Sequence, residues 1–263
     1  MRVSVVAKES PEPRPHVWVA TLLRRGQIVP NSQPGVGKLN SKPMQAISHW
    51  SVSARQHLIG VFTDIDDTLT TDGAITPDAL QALADLTAAG LHVIPITGRP
   101  VGWSQPFAAA WPVDAIVAEN GALALHAASK LYQQDRATRH TNFTRMQSVT
   151  ERVLREVPGA ALAQDSAGRE TDIAIDHSEF TQLPPERITQ VVQIMQSEGM
   201  NATVSSIHIN GWFGIHNKWE GARWIVHELF GRDLTAEVDR WAYVGDSTND
   251  QLMFEAVAHS IGV

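Results

Sequence analysis

Apolar runs that end in polar residues recur along the chain from residue 58 onward. The first run, 58–62, contains several β-branched residues, which is typical of a buried strand. Segments with apolar residues at helical spacing separate the runs. Strands are expected at 58–63, 91–96, 114–118, 240–244 and 259–263, and helices at 77–90, 101–110, 219–230 and 251–258. This alternation, with polar residues at the strand ends, predicts an α/β fold built on a doubly wound parallel sheet.

The pattern changes between residues 130 and 208. Two amphipathic helices are expected there, at 142–157 and 185–198. The segment 171–176 alternates apolar and polar residues, and the apolar positions between 204 and 209 indicate one further strand. Such strands suit an antiparallel sheet with one face on helices. We therefore expect an α+β domain at 130–208, inserted between the two parts of the core, 57–129 and 209–263.

Residues 1–56 have a different composition from the rest. Six prolines interrupt them, and they carry eight Lys/Arg against two acids, whereas residues 57–263 carry thirteen against twenty-six. We expect an N-terminal extension that is partly disordered. The basic part contains no nucleic-acid-binding motif and the organised part is acidic, so nucleic acid is not an expected partner.

The composition excludes several other classes of protein. The chain contains no cysteine, which excludes disulfides and thiolate metal sites. No apolar run approaches the ~20 residues that a membrane span needs, and the N-terminus lacks the pattern of a secretory signal. We expect a cytoplasmic protein without a membrane partner, and the sequence leaves its oligomeric state open. The chain ends at a predicted strand, where such a sheet ordinarily continues through another helix, so a truncated C-terminus is one interpretation.

Polar residues at the strand ends form four clusters that a parallel sheet would bring to one edge. Charge at that edge is expensive to bury unless a metal or a ligand lies against it. Carboxylates without His or Cys select a hard divalent ion, usually Mg²⁺ when a phosphate completes its shell. Thr and Lys side chains can hold the remaining phosphoryl oxygens, and a carboxylate can attack phosphorus. The clusters are Asp64/Asp66/Thr68, Thr97/Arg99, Lys218 and Asp246/Asn249/Asp250.

The geometry of the first cluster has two interpretations. Asp64 and Asp66 are two residues apart, so their side chains point the same way if the extended strand persists. If a turn begins between them, the second side chain swings to another direction.

In these residues the chain resembles the haloacid dehalogenase (HAD) superfamily of phosphatases, subfamily IIB, the Cof-type and sucrose-phosphatase-like branch with a large α/β cap. The family's D-x-D-x-T motif is matched by residues 64–68, its second-motif Thr by Thr97, its third-motif Lys by Lys218, and its G-D-x-x-N-D motif by residues 245–250. The resemblance covers about residues 58–263. It implies a HAD-like Rossmannoid core with an inserted α+β cap domain.

The resemblance also implies a role for each matched residue. Asp64 is the expected nucleophile and a metal ligand, and Asp66 is the expected general acid and then base, with its main-chain carbonyl on the metal. Asp246 is the third expected ligand of the cofactor, Mg²⁺. Thr97 and Lys218 are the other expected catalytic residues, because they hold phosphate and Lys218 also restrains Asp64. The further expected phosphate- or substrate-binding residues are Thr68, Gly98, Arg99, Asn120, Asn249 and Asp250.

The expected function is a Mg²⁺-dependent phosphomonoester hydrolase that acts through an aspartyl-phosphate on a sugar phosphate or a similar small phosphorylated metabolite. A phosphomutase-like phosphoryl transfer is an alternative within the superfamily. A receiver-like signalling protein uses similar residues but needs neither the second Asp nor an inserted domain, and a catalytically idle phosphate-binding protein is a third alternative. Cap residues set the substrate, and no motif in the cap names it; His208 and His216, near the return to the core, are candidates for substrate contact.

Overall fold

The computed structural model describes residues 46–263. Most of the predicted N-terminal extension, residues 1–45, lies outside the described residues. The remainder folds onto the core, since Ile47 and Trp50 pack against its apolar cluster and the Trp50 ring stacks on His259 at 5.2 Å.

Thirteen strands and seven helices make up the described part of the chain. The strands are β1 Gly60–Thr63, β2 Thr70–Thr71, β3 Ala74–Ile75, β4 His92–Pro95, β5 Ile116–Ala118, β6 Leu123–His126, β7 Ser129–Tyr132, β8 Ala161–Leu162, β9 Ile173–Asp176, β10 Asn201–Val204, β11 His208–Trp212, β12 Trp241–Gly245 and β13 His259–Gly262. The helices are α1 Val52–Arg55, α2 Pro77–Ala88, α3 Val101–Ala110, α4 Arg136–Glu156, α5 Pro185–Ser197, α6 Lys218–Phe230 and α7 Gln251–Ala256. All nine strands and helices expected for the core are present within a few residues of their predicted bounds.

The core is a sheet of four parallel strands in the order β13-β12-β1-β4. A parallel bridge between Ile96 and Val117 continues it to β5, which pairs antiparallel with β6, and β6 with β7. The central strand β1 is buried on both faces, because Val61 packs into one apolar cluster and Phe62 into the other. This central position puts the C-terminal end of β1 at the middle of the sheet edge.

Helices cover both faces of this sheet, as a doubly wound fold requires. Helix α2 contributes Leu83 to the cluster around Val61, and α6 contributes Ile225 to the cluster around Phe62. Helix α2 begins as its sequence predicts, with the Thr76 hydroxyl accepting a hydrogen bond from the Ala79 amide at 3.3 Å and Pro77 in the first helical position. The predicted fold class is confirmed.

A second, antiparallel sheet has the order β10-β11-β9-β8. Helices α4 and α5 pack on one of its faces through a separate apolar cluster that includes Met146, Ile175, Val191 and Ile209. This is the inserted α+β unit that the change of pattern predicts.

Two features of this unit differ from the sequence-based expectation. The strand expected between 204 and 209 is a hairpin of β10 and β11, because the Ser205 hydroxyl accepts hydrogen bonds from the Ile207 and His208 amides at 3.4 and 3.0 Å and closes a tight turn. Helix α4 begins at Arg136 instead of 142, since the Asp135 carboxylate caps it by accepting from the Thr138 amide at 2.9 Å.

These features affect where the inserted unit begins and ends. Strand β7 pairs with β6 beside the core sheet, and β11 pairs with β9 and β10 in the second sheet. We therefore propose that the inserted unit spans residues 133–212, called the cap below, a few residues later at each end than 130–208. The core then comprises residues 57–132 and 213–263. Within the described residues, none of the helices combines the length and apolar content needed to cross a bilayer.

Candidate active site

The site is built on the C-terminal end of β1. Asp64 follows the strand directly and is 5% exposed, and its amide donates to the Val244 carbonyl of β12 at 2.8 Å. The strand then ends in a turn, because the Ile65 carbonyl accepts from the Leu69 and Thr70 amides at 2.9 and 3.0 Å. Asp66 lies in this turn, so Asp64 and Asp66 meet different partners.

Asp64 is paired with Lys218, the first residue of α6. The Lys218 ammonium lies 2.7 Å from Oδ1 of Asp64 and 2.5 Å from Oδ1 of Asp250, and it is 2% exposed. Burial by itself would lower the pKa of Lys218, but the charges of Asp250 and Asp64 outweigh it and raise that pKa. Lys218 is therefore a cation that holds Oδ1 of Asp64.

Asp64, Asp246 and Asp250 each offer a carboxylate oxygen, and these oxygens all lie within 4.8 Å of one another. Burial raises the pKa of Asp64 well above its usual value, although Lys218 counteracts the effect. Burial and the charge of Asp250 raise the pKa of Asp246 to about 6. Burial and mutual repulsion make the negative charges of these carboxylates unfavourable. The cluster is therefore a candidate site for a hard divalent cation.

The oxygens of Asp250 are already in use. Oδ1 accepts from Lys218 and, at 2.5 Å, from the Tyr243 hydroxyl, and Oδ2 accepts from the Asp246 and Ser247 amides at 3.1 and 3.2 Å. Burial and the neighbouring Asp250 charge raise the pKa of Tyr243 well above its usual value, so the phenol keeps its proton. Asp64 and Asp246 are therefore the carboxylates that remain able to bind a metal, and Thr68 approaches Asp246 with its hydroxyl 3.5 Å from Oδ1.

Asp66 is held by Arg99. The guanidinium Nε donates to both carboxylate oxygens at 3.1 and 3.0 Å, and Nη2 donates to Oδ1 at 3.0 Å. The same guanidinium reaches two cap carboxylates, Asp165 at 3.3 Å and Glu179 at 3.0 Å. Although burial opposes it, the charge of Asp66 raises the pKa of Arg99, so Arg99 stays charged and links the core to the cap.

Thr97 and Gly98 lie beside this pair at the end of β4. The Thr97 hydroxyl accepts from the Arg99 amide at 3.0 Å, which leaves its own O–H free to donate. The Gly98 carbonyl accepts from Arg169 and Asn210 of the cap at 3.0 and 3.4 Å. Thr97 therefore keeps a hydroxyl hydrogen for a further hydrogen bond, whereas the cap holds the backbone of Gly98.

Asn120 lies behind Gly98 and is not among the residues that line the cleft, and its expected contact with substrate stays a prediction. It adopts a left-handed backbone conformation with φ of 55°, is 2% exposed, and its amide donates to Asp172 of the cap at 3.4 Å. Its side chain is thus engaged in the contact between core and cap. Asn249 does line the cleft, where its side-chain oxygen accepts from the Ser247 hydroxyl at 2.6 Å.

Core and cap together enclose a cleft with about 300 Å³ of empty space, its open mouth included. The core wall consists of Asp64, Asp66, Thr97, Gly98, Arg99, Ser247 and Asn249, and the cap wall of Ser205, Ser206, Ile207, His208 and Asn210. His208 is 2% exposed and its Nε2 lies 2.8 Å from Glu179. Burial lowers the pKa of His208.

Sequence reasoning missed several residues of this region. Asp165 and Glu179 carry no motif, and their role arises only because the cap packs over Arg99. Glu119, which joins core and cap, follows a strand as Thr97 does, and this position is the sequence signal that marks it. His216, the other candidate histidine, packs against Trp212 instead, with ring centroids 5.6 Å apart, and does not line the cleft.

Residues 61–156 match the sequence profile of the haloacid dehalogenase-like hydrolases. No curated protein matches the chain in sequence.

Solved structures with low sequence identity share the fold. Protein 0175 of Thermoplasma acidophilum aligns with a TM-score of 0.62 at 17% identity, covering 78% of this chain and 85% of its own. The sucrose-phosphatase of Synechocystis sp. PCC6803, solved with sucrose and phosphate, gives 0.57 at 16% identity over 78% and 82%. A sugar phosphatase of haloacid dehalogenase subclass IIB gives 0.54 at 16% identity over 77% and 86%.

Proposed function

Since residues 61–156 match the sequence profile of the haloacid dehalogenase-like hydrolases and the chain shares the fold of a subclass IIB sugar phosphatase, we propose that it is a metal-dependent phosphomonoester hydrolase. The observation that carries this proposal is the buried pairing of Asp64 with Lys218 beside the Asp246 carboxylate. A carboxylate fixed through one oxygen, next to a cation and a second acid, is suited to attack phosphorus.

Asp64 and Asp246 would hold the metal, together with the main-chain carbonyl of Asp66. Their hard oxygen donors fit Mg²⁺. Bound there, the ion would offset the repulsion between the anionic substrate and the Asp64 carboxylate.

The reaction follows from the roles of the side chains. Oδ2 of Asp64 attacks phosphorus, the bond from phosphorus to the leaving oxygen breaks, and Asp66 gives its proton to that oxygen. Asp66 then takes a proton from the water that attacks the aspartyl-phosphate, which releases phosphate and restores Asp64. Lys218 and Thr97 donate to the phosphoryl oxygens throughout.

The Asp66–Arg99 pair bears directly on the proton transfer. Both Asp66 oxygens accept hydrogen bonds from Arg99, so at least one bond must give way before Asp66 can carry and deliver a proton. An anionic phosphoryl group is a natural competitor for the guanidinium. Substrate binding would therefore release Asp66 for catalysis.

The walls of the cleft favour an uncharged, hydroxyl-rich leaving group. The cap offers Ser205, Ser206 and Asn210 as hydrogen-bonding groups, and its charged side chains nearest to Arg99 are both acidic. Two carboxylates around one guanidinium disfavour a second anionic group on the substrate. A sugar phosphate fits this wall, and the sucrose-phosphatase and the subclass IIB sugar phosphatase named above act on substrates of that class.

Replacement of the nucleophile tests the proposal. Asp64→Asn is expected to lower the release of phosphate from p-nitrophenyl phosphate and from a panel of sugar phosphates by a factor of about 10³ or more, because the amide cannot attack phosphorus. The matched control is Asp72→Asn, the same chemical change at an exposed turn residue with φ of 53°. EDTA should abolish the activity and Mg²⁺ restore it. Turnover retained by Asp64→Asn would refute the assignment.

A further inference from the structure

Tyr243 is a buried residue of β12 that no motif identifies. It has no exposed surface, and it pairs in register with Phe62 of the strand that carries Asp64. Its hydroxyl donates to Oδ1 of Asp250 at 2.5 Å. Burying a phenol hydroxyl without a hydrogen-bond partner costs free energy. Asp250 provides this partner for Tyr243.

Asp250 is the point where several parts of the site are joined. Oδ1 accepts from Tyr243 and Lys218, and Oδ2 accepts from two backbone amides of the 246–247 turn. A carboxylate has about four acceptor positions, and here all four are filled. Asp250 is thereby fixed, and it fixes Lys218 in turn.

Gly245 shows that the strand is adapted to this contact. A Cβ atom at this position would lie 2.4 Å from Oδ2 of Asp250 and 2.9 Å from the Tyr243 ring. Any other residue would therefore push Asp250 and Tyr243 apart. Gly245 thus leaves the space in which Asp250 and the Tyr243 ring remain in contact.

Lys218 has three N–H donors, of which Asp64 takes one and Asp250 another. The third can reach a phosphoryl oxygen only if the ammonium stays between the two carboxylates. The ammonium makes its shorter contact with Asp250, 2.5 Å against 2.7 Å to Asp64, so the position of the Asp250 carboxylate sets the position of Lys218. Without the Tyr243 hydroxyl, Oδ1 of Asp250 would lose one of its two donors, and the carboxylate that holds Lys218 would be less firmly placed.

We propose that Tyr243 is a positioning residue, which acts through Asp250 to hold Lys218 where it binds the phosphoryl group and restrains Asp64. This inference rests on the proposed phosphatase function. It assigns Tyr243 a role in phosphate affinity and turnover in addition to its packing in the core.

The test is Tyr243→Phe in the full chain, which keeps the ring and removes only the hydroxyl. We expect kcat/KM for p-nitrophenyl phosphate to fall about tenfold and the Kd for inorganic phosphate in the presence of Mg²⁺, measured by calorimetry, to rise about tenfold, the scale of one hydrogen bond to a charged group.

The matched control is Trp241→Phe, on the same strand and in the same apolar cluster. It removes a buried indole N–H for which the described residues provide no partner. Its urea midpoint should fall through lost packing, while the Kd for phosphate should stay at the wild-type value. This separates a loss of stability from a loss of positioning.

The outcomes are distinct. Wild-type Kd and kcat/KM in Tyr243→Phe, with an active wild-type enzyme, would overturn the role of Tyr243 and leave the phosphatase function standing. An equal rise of the phosphate Kd in Tyr243→Phe and Trp241→Phe would also overturn it, since general loosening would then be the cause. A wild-type chain that neither hydrolyses phosphomonoesters nor binds phosphate would overturn the proposed function and this inference together.

Discussion

Glu119 is a carboxylate without exposed surface, held in the left-handed conformation with φ of 48°. It accepts from the Val101 amide at the N-terminus of α3 at 3.0 Å, and from the Glu170 and Thr171 amides of the cap at 3.1 and 2.6 Å. It also pairs with the Thr171 hydroxyl. One core side chain thereby fastens the cap at this point.

The ionisation of Glu119 should make stability depend on pH. Burial and the nearby Asp172 charge raise its pKa from 4.5 to about 7. Because the folded state binds the proton more tightly, the contribution to stability is fully present below about pH 4.5 and is lost as the pH rises through about 7. This contribution of Glu119 to the free energy of unfolding is at most about 3 kcal/mol, since a shift of one pKa unit corresponds to about 1.36 kcal/mol.

Urea unfolding at a series of pH values checks this effect. Glu119→Gln is the control, because its amide cannot ionise and any pH dependence that remains comes from other groups. We expect the stability of the wild type to fall relative to Glu119→Gln between about pH 5 and 8. Parallel pH profiles of the two proteins would show that Glu119 is not the titrating group.

At the scale of elements, helix α6 delivers Lys218 to the site, and a contact between glycines sets its position. A Cβ atom on Gly221 of α6 would lie 2.5 Å from the Gly121 Cα atom. A Cβ on Gly121, which has φ of 105°, would lie 2.2 Å from the carbonyl oxygen of Asn217, the N-cap of α6. The first turn of α6 therefore lies directly on the backbone of the loop after β5.

Gly121→Ala is expected to displace the first turn of α6 and with it Lys218. Left-handed strain alone costs about 1–2 kcal/mol, and the overlap with Asn217 should bring the total loss of stability to more than about 3 kcal/mol. We expect kcat/KM to fall more than about tenfold in the molecules that remain folded.

Gly199→Ala is the matched control for this substitution. Gly199 also has a positive φ, 80°, but a Cβ atom there meets nothing within 4 Å. Its urea midpoint should shift by the strain alone, with activity unchanged. Equal activity losses in the two variants would contradict the placement of Lys218 through this contact.

At the scale of the whole molecule, buried polar contacts join cap and core around the cleft. Arg99 bridges Asp66 of the core to Asp165 and Glu179 of the cap, and Arg169 of the cap reaches the Gly98 carbonyl of the core. Breaking a buried ion pair on one side leaves the partner charge uncompensated, which is strongly destabilising. Opening of the cap is therefore coupled to the site itself.

Arg99→Met keeps an unbranched apolar side chain and removes the charge that holds the two units together. We expect amide hydrogen exchange in residues 161–183 to become about tenfold faster or more, because Asp66, Asp165 and Glu179 lose their ion pairs with Arg99. KM should rise as well, since the guanidinium lines the cleft in which the substrate would bind.

Arg223→Met provides the comparison for Arg99→Met. Arg223 is exposed and pairs with Glu220 at 2.9 Å on the surface of α6, a contact worth little. Its exchange and KM should match those of the wild type. Unchanged exchange in Arg99→Met would mean that other contacts, such as those of Glu119, hold the cap closed.

Much of the fold and part of the site could be predicted from the sequence. Each core strand carries its own signal, an apolar run with β-branched residues, and each helix has its own caps, as Thr76 shows. Parallel strands bring their C-terminal ends to one edge, which was enough to expect Asp64, Thr97, Lys218 and Asp246 near one another. The sequence does not predict the hairpin at 201–212, because its turn spans few residues and is closed by the Ser205 amide and hydroxyl without a glycine or proline to mark it.

By itself, the sequence determined the order of strands and helices, the inserted unit and the acids at the strand ends, because these depend on local patterns along the chain. Only the tertiary structure decided which acid meets which cation: Asp64 with Lys218, 154 residues away, and Asp66 with Arg99, Asp165 and Glu179 around it. It also decided that Tyr243 supports Asp250 and that Asn120 faces the cap. Such pairings depend on how the turn after β1 aims its side chains and on how the cap packs over the sheet, and no local pattern encodes either.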